Sequence, residues 1–227
     1  MSQFSNLTPR RGFLGTVAAG AAALGLGSLA GPLNVAKALG GVSAADSASA
    51  EEWLKKITGK HRQVFDTPAV NGGLPLAWAR VYLSTNNGTG TADADLTAVV
   101  ILRHEGIPYA FSDAVWSKYK FGEMFKVEDK LTKAPAVRNT FAHVKPDELF
   151  FPDMSVDELQ KRGVLFGVCD MAITVYSTMT ANNTKGDAAV IKKEWLDGVL
   201  PGIQVVPSGV WAVNRAQEHG CTYCFAG

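Results

Sequence analysis

The run Thr97-Ala98-Val99-Val100-Ile101-Leu102 is apolar or β-branched at every position. A strand with one face in water alternates apolar and polar residues, so an uninterrupted run predicts burial on both faces, as inside a parallel sheet. Three further short runs share this character: Val164–Val168, Ile203–Val206 and Cys221–Phe225. Helical patterns fall around them, at Phe111 to Phe121, Val156 to Arg162 with Ser155 as cap, Met171 to Ala181, Ala188 to Leu196 and Val210 to His219. Strands alternating with helices predict an α/β domain with a mainly parallel sheet, right-handed crossovers and helices on both faces.

Upstream of this block, residues 39–94 read as a linker followed by helices. Val42 to Ala50 is rich in Ser and Ala, and Trp53, Leu54, Ile57, Val64 and Phe65 are expected on one face of a short helix interrupted by Gly59. Pro75 to Ser84 reads as a second helix, with Pro in its first turn and Asn86-Asn87-Gly88 ending it. The α/β domain is expected over 95–227, with an ordered flap at about 128–152 punctuated by Pro135, Pro146 and Pro152.

Composition narrows the function. At 47% hydrophobic residues the 227-residue chain is too apolar for disorder, three cysteines are too few for a disulfide scaffold, and a net charge of +1 offers no basic face for nucleic acid. The charge is unevenly placed: no acidic residue precedes Asp46, whereas Arg10, Arg11 and Lys37 are basic, so the remainder is mildly acidic. Thr8-Pro9-Arg10-Arg11-Gly12-Phe13-Leu14, an Ala/Gly-rich apolar run and small residues at Ala36-Lys37-Ala38 follow the order of a secretory signal. The paired arginines resemble a twin-arginine export signal over residues 1–38, with cleavage after Ala38 or as late as Ala45. The competing reading is a membrane anchor over the uncharged stretch 12–33, against which its glycines make a poor helix. Export predicts a soluble protein outside the reducing cytosol, in the periplasm, touching the membrane only through the export machinery.

Ligands of open parallel sheets bind beyond the carboxyl ends of the strands. The residues following the runs are therefore informative: Arg103, His104, Glu105 and Gly106 after the first, Cys169 and Asp170 after the second, and Pro207, Ser208 and Gly209 after the third. Of these, Cys169, Asp170, His104, Glu105, Ser208 and Gly209 are the candidates. Cys169 precedes a helix whose amino terminus favours a thiolate, while Asp170 opposes ionisation. Equally, Cys169 reads as a small buried hydrophobe. His104 is placed to act as acid or base, with Glu105, Asp170, Ser208 and Gly209 as ligand contacts; Ser208-Gly209 also reads as a helix cap and turn. Cys221 and Cys224 fall on a strand, where positions three apart face opposite ways, disfavouring a local disulfide or shared metal. No closely spaced His/Cys pattern supports a metal, with a site built from His104, Cys169 and a flap residue as the minor alternative; no Gly-rich phosphate loop is present, and the sequence leaves the cofactor unknown.

Val99-Val-Ile-Leu-Arg-His-Glu-Gly106, Gly163-Val-Leu-Phe-Gly-Val-Cys-Asp-Met-Ala172 and the stretch Val206 to Tyr223 together resemble the DsrE/DsrF-like family over about Asp95 to Phe225. The resemblance implies a three-layer α/β domain of the DsrE/YchN-like type and assembly into trimers or hexamers. It also implies a sulfur-carrying cysteine after a central strand, a place that Cys169 occupies, and a sulfur-containing small molecule or partner protein as ligand. This chain differs from compact cytoplasmic relay members in its export signal, its amino-terminal helices and its flap. The alternative is a non-enzymatic exported module that holds a small molecule or partner at the same rim, or on a surface built from Trp53, Trp78, Trp116, Trp195 and Trp211.

Overall fold

A computed structural model describes residues 44–144 and 148–227; the leader read over residues 1–38 lies outside them. The described chain runs α1 (Ala44–Leu54), β1 (His61–Thr67), α2 (Leu74–Gly88), β2 (Leu96–Leu102), α3 (Asp113–Tyr119), α4 (Phe121–Met124), β3 (Glu128–Asp129), β4 (Ala134–Pro135) and α5 (Val156–Lys161). It continues through β5 (Leu165–Cys169), α6 (Asp170–Thr184), α7 (Ala188–Asp197), β6 (Ile203–Val206), α8 (Gly209–Glu218) and β7 (Thr222–Phe225). Five strands form one parallel sheet in the order β6-β5-β2-β1-β7. The predicted three-layer α/β architecture around a parallel sheet is what the chain adopts.

Strand order decides which helices cover which face. From β1 through β2 and β5 to β6 the chain advances steadily across the sheet, and right-handed crossovers put every intervening helix on one side. The return from β6 to β7, at the far edge, reverses direction and sends α8 to the opposite side. Packing follows this division. Ala98, Val100 and Leu102 of β2 join α2, α5, α6 and α7 in the larger core, through residues such as Leu76, Leu159, Ile173 and Trp195. Val99 and Ile101 join Trp53 and Leu54 of α1 and Ala212 and Ala216 of α8 in the smaller one. All seven β2 residues are buried, as its unbroken apolar run requires. Burying side chains such as Ile101 contributes about 1.5–3 kcal/mol each.

Two expectations upstream are corrected. The Ser/Ala stretch expected as linker is helical from Ala44, in keeping with the propensity of alanine, and α1 buries Ala50, Trp53 and Leu54. Val64 and Phe65 lie on strand β1 instead of a helix, one in each core, and β1 sits between β2 and β7. The α/β unit therefore draws a sheet strand from upstream of residue 95. The helix expected from Phe111 to Phe121 is broken where Lys120 takes a left-handed conformation, leaving α3 and the short α4.

The flap opens with the two-stranded ladder β3–β4 and is held down by Asn139. The Asn139 carboxamide donates to the carbonyls of Tyr109, at 3.0 Å, and Phe111, at 2.8 Å. Trp53, Trp116 and Trp195 are core residues, while Trp78 is exposed. Among the described residues no helix is long and apolar enough to cross a membrane.

Candidate functional site

Cys169 ends β5 and caps α6, its Sγ accepting the Ala172 N–H at 3.2 Å. The amides of Met171 and Gly209 also act on the sulfur. Gly209 opens α8, whose cap Ser208 accepts the Trp211 N–H on its Oγ at 3.2 Å. Two helix amino termini thus converge on one thiol, each with unpaired N–H groups and the positive end of a macrodipole. Cys169 is 5% exposed, and burial pushes its thiol pKa up; the Ala172, Gly209 and Met171 amides pull it back, while the Asp170 charge adds to the rise. Asp170 is itself tied to Lys192 of α7 at 2.8 Å.

The next neighbour is a guanidinium. Leu102 of β2 pairs with Val168 of β5, so Arg103 and Cys169 follow side by side at the rim, and the Arg103 charge couples to the sulfur. Arg103 is clamped by Asp66 of β1, Nε to Oδ1 at 2.6 Å and Nη2 to Oδ2 at 2.8 Å, a bidentate charge-assisted pair. Tyr223 of β7 donates its hydroxyl to the same carboxylate at 2.9 Å. Glycine at 209 permits the arrangement: a Cβ there would stand 2.4 Å from the Arg103 Cβ. Among the described residues no group of three or more His, Cys, Asp or Glu is arranged to hold a metal ion.

Only part of the sequence-derived constellation meets here. Cys169, Asp170, Ser208 and Gly209 come together at the ends of β5 and β6. His104 and Glu105 follow β2 and have other neighbours. His104 has φ +49° and sets its ring edge-on to Tyr176 of α6, with centroids 6.1 Å apart. Gly106 brings this turn tightly against β1, since a Cβ there would lie 2.2 Å from the Thr67 carbonyl oxygen. Glu105 lines a separate cavity of about 430 Å³ beneath the flap. Burial, with a smaller contribution from the Glu105 charge, pushes the Tyr176 hydroxyl up to about 12.

Asp66 and Tyr223 are site residues that sequence reasoning passed over, and Arg103 is one that it noted but gave no role. Arg103 had a signal, its place directly after a strand; Asp66 had none while β1 was read as helix. Compared with protein-family models, curated proteins and solved structures, the chain matches none. The remaining cysteines lie elsewhere: Cys221 is buried in the smaller core and Cys224 packs against the larger, and all three thiols are free.

Proposed function

We propose that this chain is an exported, DsrE-like sulfur-handling protein in which Cys169 accepts and passes on a sulfur atom. The observation that carries the reading is the convergence of the α6 and α8 amino termini, with the Asp66-clamped Arg103, on one strand-end sulfur. Such a setting stabilises negative charge as the sulfur becomes a thiolate or a persulfide anion. The parallel three-layer architecture accords with the family resemblance, and the paired arginines of the leader accord with export in a folded state to the periplasm. Assembly into trimers or hexamers belongs to the same proposal.

The chemistry needs a persulfide donor and no external oxidant or reductant. The Cys169 thiolate attacks the outer sulfur of a donor persulfide; the donor S–S bond breaks, its electron pair leaves on the donor thiolate, and a new S–S bond forms at Cys169. The amides of Ala172, Met171 and Gly209 and the Arg103 guanidinium hold the charge throughout. His104, turned toward Tyr176, would have to turn to the rim to act as base for the Cys169 thiol and then as acid for the leaving donor thiolate.

Incubation with a polysulfide donor followed by intact-mass measurement tests this. Wild type, Cys221→Ser and Cys224→Ser are expected to gain one sulfur atom, and Cys169→Ser is expected to gain none; an unmodified wild type under several donors would overturn the reading. The second reading, a non-enzymatic binding module, is favoured by the flap-roofed cavity and requires ligand binding to survive Cys169→Ala.

A further inference from the structure

The cavity under the flap lies beyond the carboxyl ends of β1 and β2, where an open parallel sheet takes its ligands. Its volume of about 430 Å³ suits a small molecule. It does not include Cys169.

Its walls are fixed in advance. The Tyr109 hydroxyl, fully buried, donates to the Val70 carbonyl and anchors the turn after β1. Asn139 holds the flap from inside, its carbonyl oxygen accepting the Phe141 N–H at 3.0 Å. Asn71 (φ 41°) and Lys126 (φ 55°), both on the wall, are side-chain-bearing residues held in the left-handed region. Such conformations persist only where the surroundings impose them. A preformed cavity spends little binding energy on ordering itself.

The lining carries charges of both signs over an apolar floor. Val70, Phe125 and Phe141 supply the floor; Glu105 and Glu128 supply carboxylates, and Lys126 and Lys130 supply ammonium groups. Glu148 is already matched to Arg138, and Lys130 lies over the Phe150 ring at 5.0 Å. Among the described residues Glu105, Glu128 and Lys126 join no ion pair, although opposite charges line the same cavity. A ligand with one charge would meet repulsion as well as attraction. A zwitterion can satisfy both signs at once.

We infer that this cavity binds a free amino acid with an apolar side chain. Its ammonium group is met by Glu105 and Glu128, its carboxylate by Lys126 and Lys130, and its side chain by the apolar floor. The site communicates with α6, because the Phe125 ring packs on Tyr176 at 5.1 Å. The inference stands apart from sulfur transfer at Cys169.

Calorimetry on the full chain with L-leucine tests it, using 4-methylpentanoate and isopentylamine as ligands lacking one charge each. The expected result is leucine binding with each control at least about tenfold weaker, the size of a lost hydrogen bond to a charged group. Glu105→Gln with Glu128→Gln, and Lys126→Gln with Lys130→Gln, should each weaken leucine by about tenfold or more, while Cys169→Ser should leave it unchanged. All four side chains belong to exposed residues, so the fold is expected to survive, which unchanged thermal melting verifies. Amide shifts at Thr140 and Phe141 on titration of wild type supply a readout independent of any variant. No leucine binding at millimolar concentration, a control that binds equally well, or folded charge variants with unaltered affinity would each overturn the inference. Loss of the sulfur increment at Cys169 with leucine binding intact would overturn the transfer reading alone.

Discussion

Cys169 and Cys221 are equally buried, 5% and 6% exposed, and stand at opposite ends of one helix. The amino terminus of α8 presents the Gly209 amide to Cys169, whereas Cys221 follows the carboxyl terminus and donates its N–H to the Ala216 carbonyl at 3.0 Å. A helix carries roughly half a positive charge at its first turn and half a negative charge at its last. Burial raises both thiols. At Cys169 three amides oppose the rise; at Cys221 only the Arg62 charge does, and the thiol is pushed up to about 11. What separates a candidate reactive thiol from a packing thiol here is the helix amides and the Arg103 guanidinium around it, and not its exposure.

The largest test of that contrast removes the guanidinium. Arg103→Met leaves Asp66, 4% exposed, with the Tyr223 hydroxyl but no cation. Stripping one partner from a buried pair costs about 3–5 kcal/mol, and the partial exposure of Arg103 places the expectation near about 3 kcal/mol in urea unfolding. The Cys169 thiol should also titrate higher by NMR of labelled cysteine, with Cys221 unmoved. A loss below about 1 kcal/mol, or equal shifts at both thiols, would dissolve the distinction.

Alkaline pH comes next. A group whose pKa is raised on folding lends stability that is complete below its unfolded pKa and lost as pH rises through the folded value. Both thiols therefore predict falling stability above pH ~9, and for Cys221 the loss continues through about 11. Moving a thiol from about 9 to about 11 corresponds to about 2–3 kcal/mol. In urea midpoints measured across this range, Cys221→Ala should flatten the decline more than Cys169→Ala. The reverse order would mean that the amides at Cys169 do not offset its burial.

How much of this was legible depended on whether the decisive contact was local. β2 and β5 announced themselves because burial on both faces leaves an apolar run in the sequence, and β6 and β7 by similar short runs, although β7 is an edge strand with Tyr223 and Phe225 exposed. β1 did not: it ends in Asp66-Thr67, two polar residues that are nonetheless buried. Asp66 is tolerated there because Arg103, 37 residues away, neutralises it, and no local window contains that partner. Missing β1 hid Asp66, and with it the reason Arg103 stands at the rim. Cys169, Ser208 and Gly209 were reachable by the rule that sites follow strands. The same rule put His104 and Glu105 beside them, but the positive φ of His104 turns that chain segment toward Tyr176 and the cavity, a backbone choice that a histidine codon does not reveal.

The smallest test acts on the helix that joins the two thiols. Ser208 Oγ accepts the Trp211 N–H and defines where α8 begins. Ser208→Ala should cost about 1 kcal/mol, whereas Ser208→Gly should cost only a few tenths, because glycine is itself an acceptable cap. The informative quantity is how the loss is shared. Fraying at the first turn withdraws the Gly209 amide from Cys169 but leaves the last turn, and the Ala216 carbonyl bound to Cys221, in place. The Cys169 thiol should accordingly titrate higher in Ser208→Ala, less so in Ser208→Gly, and the Cys221 thiol in neither. If both thiols move together, the α8 dipole acts on them only through global stability, and the asymmetry between its ends is not what distinguishes them.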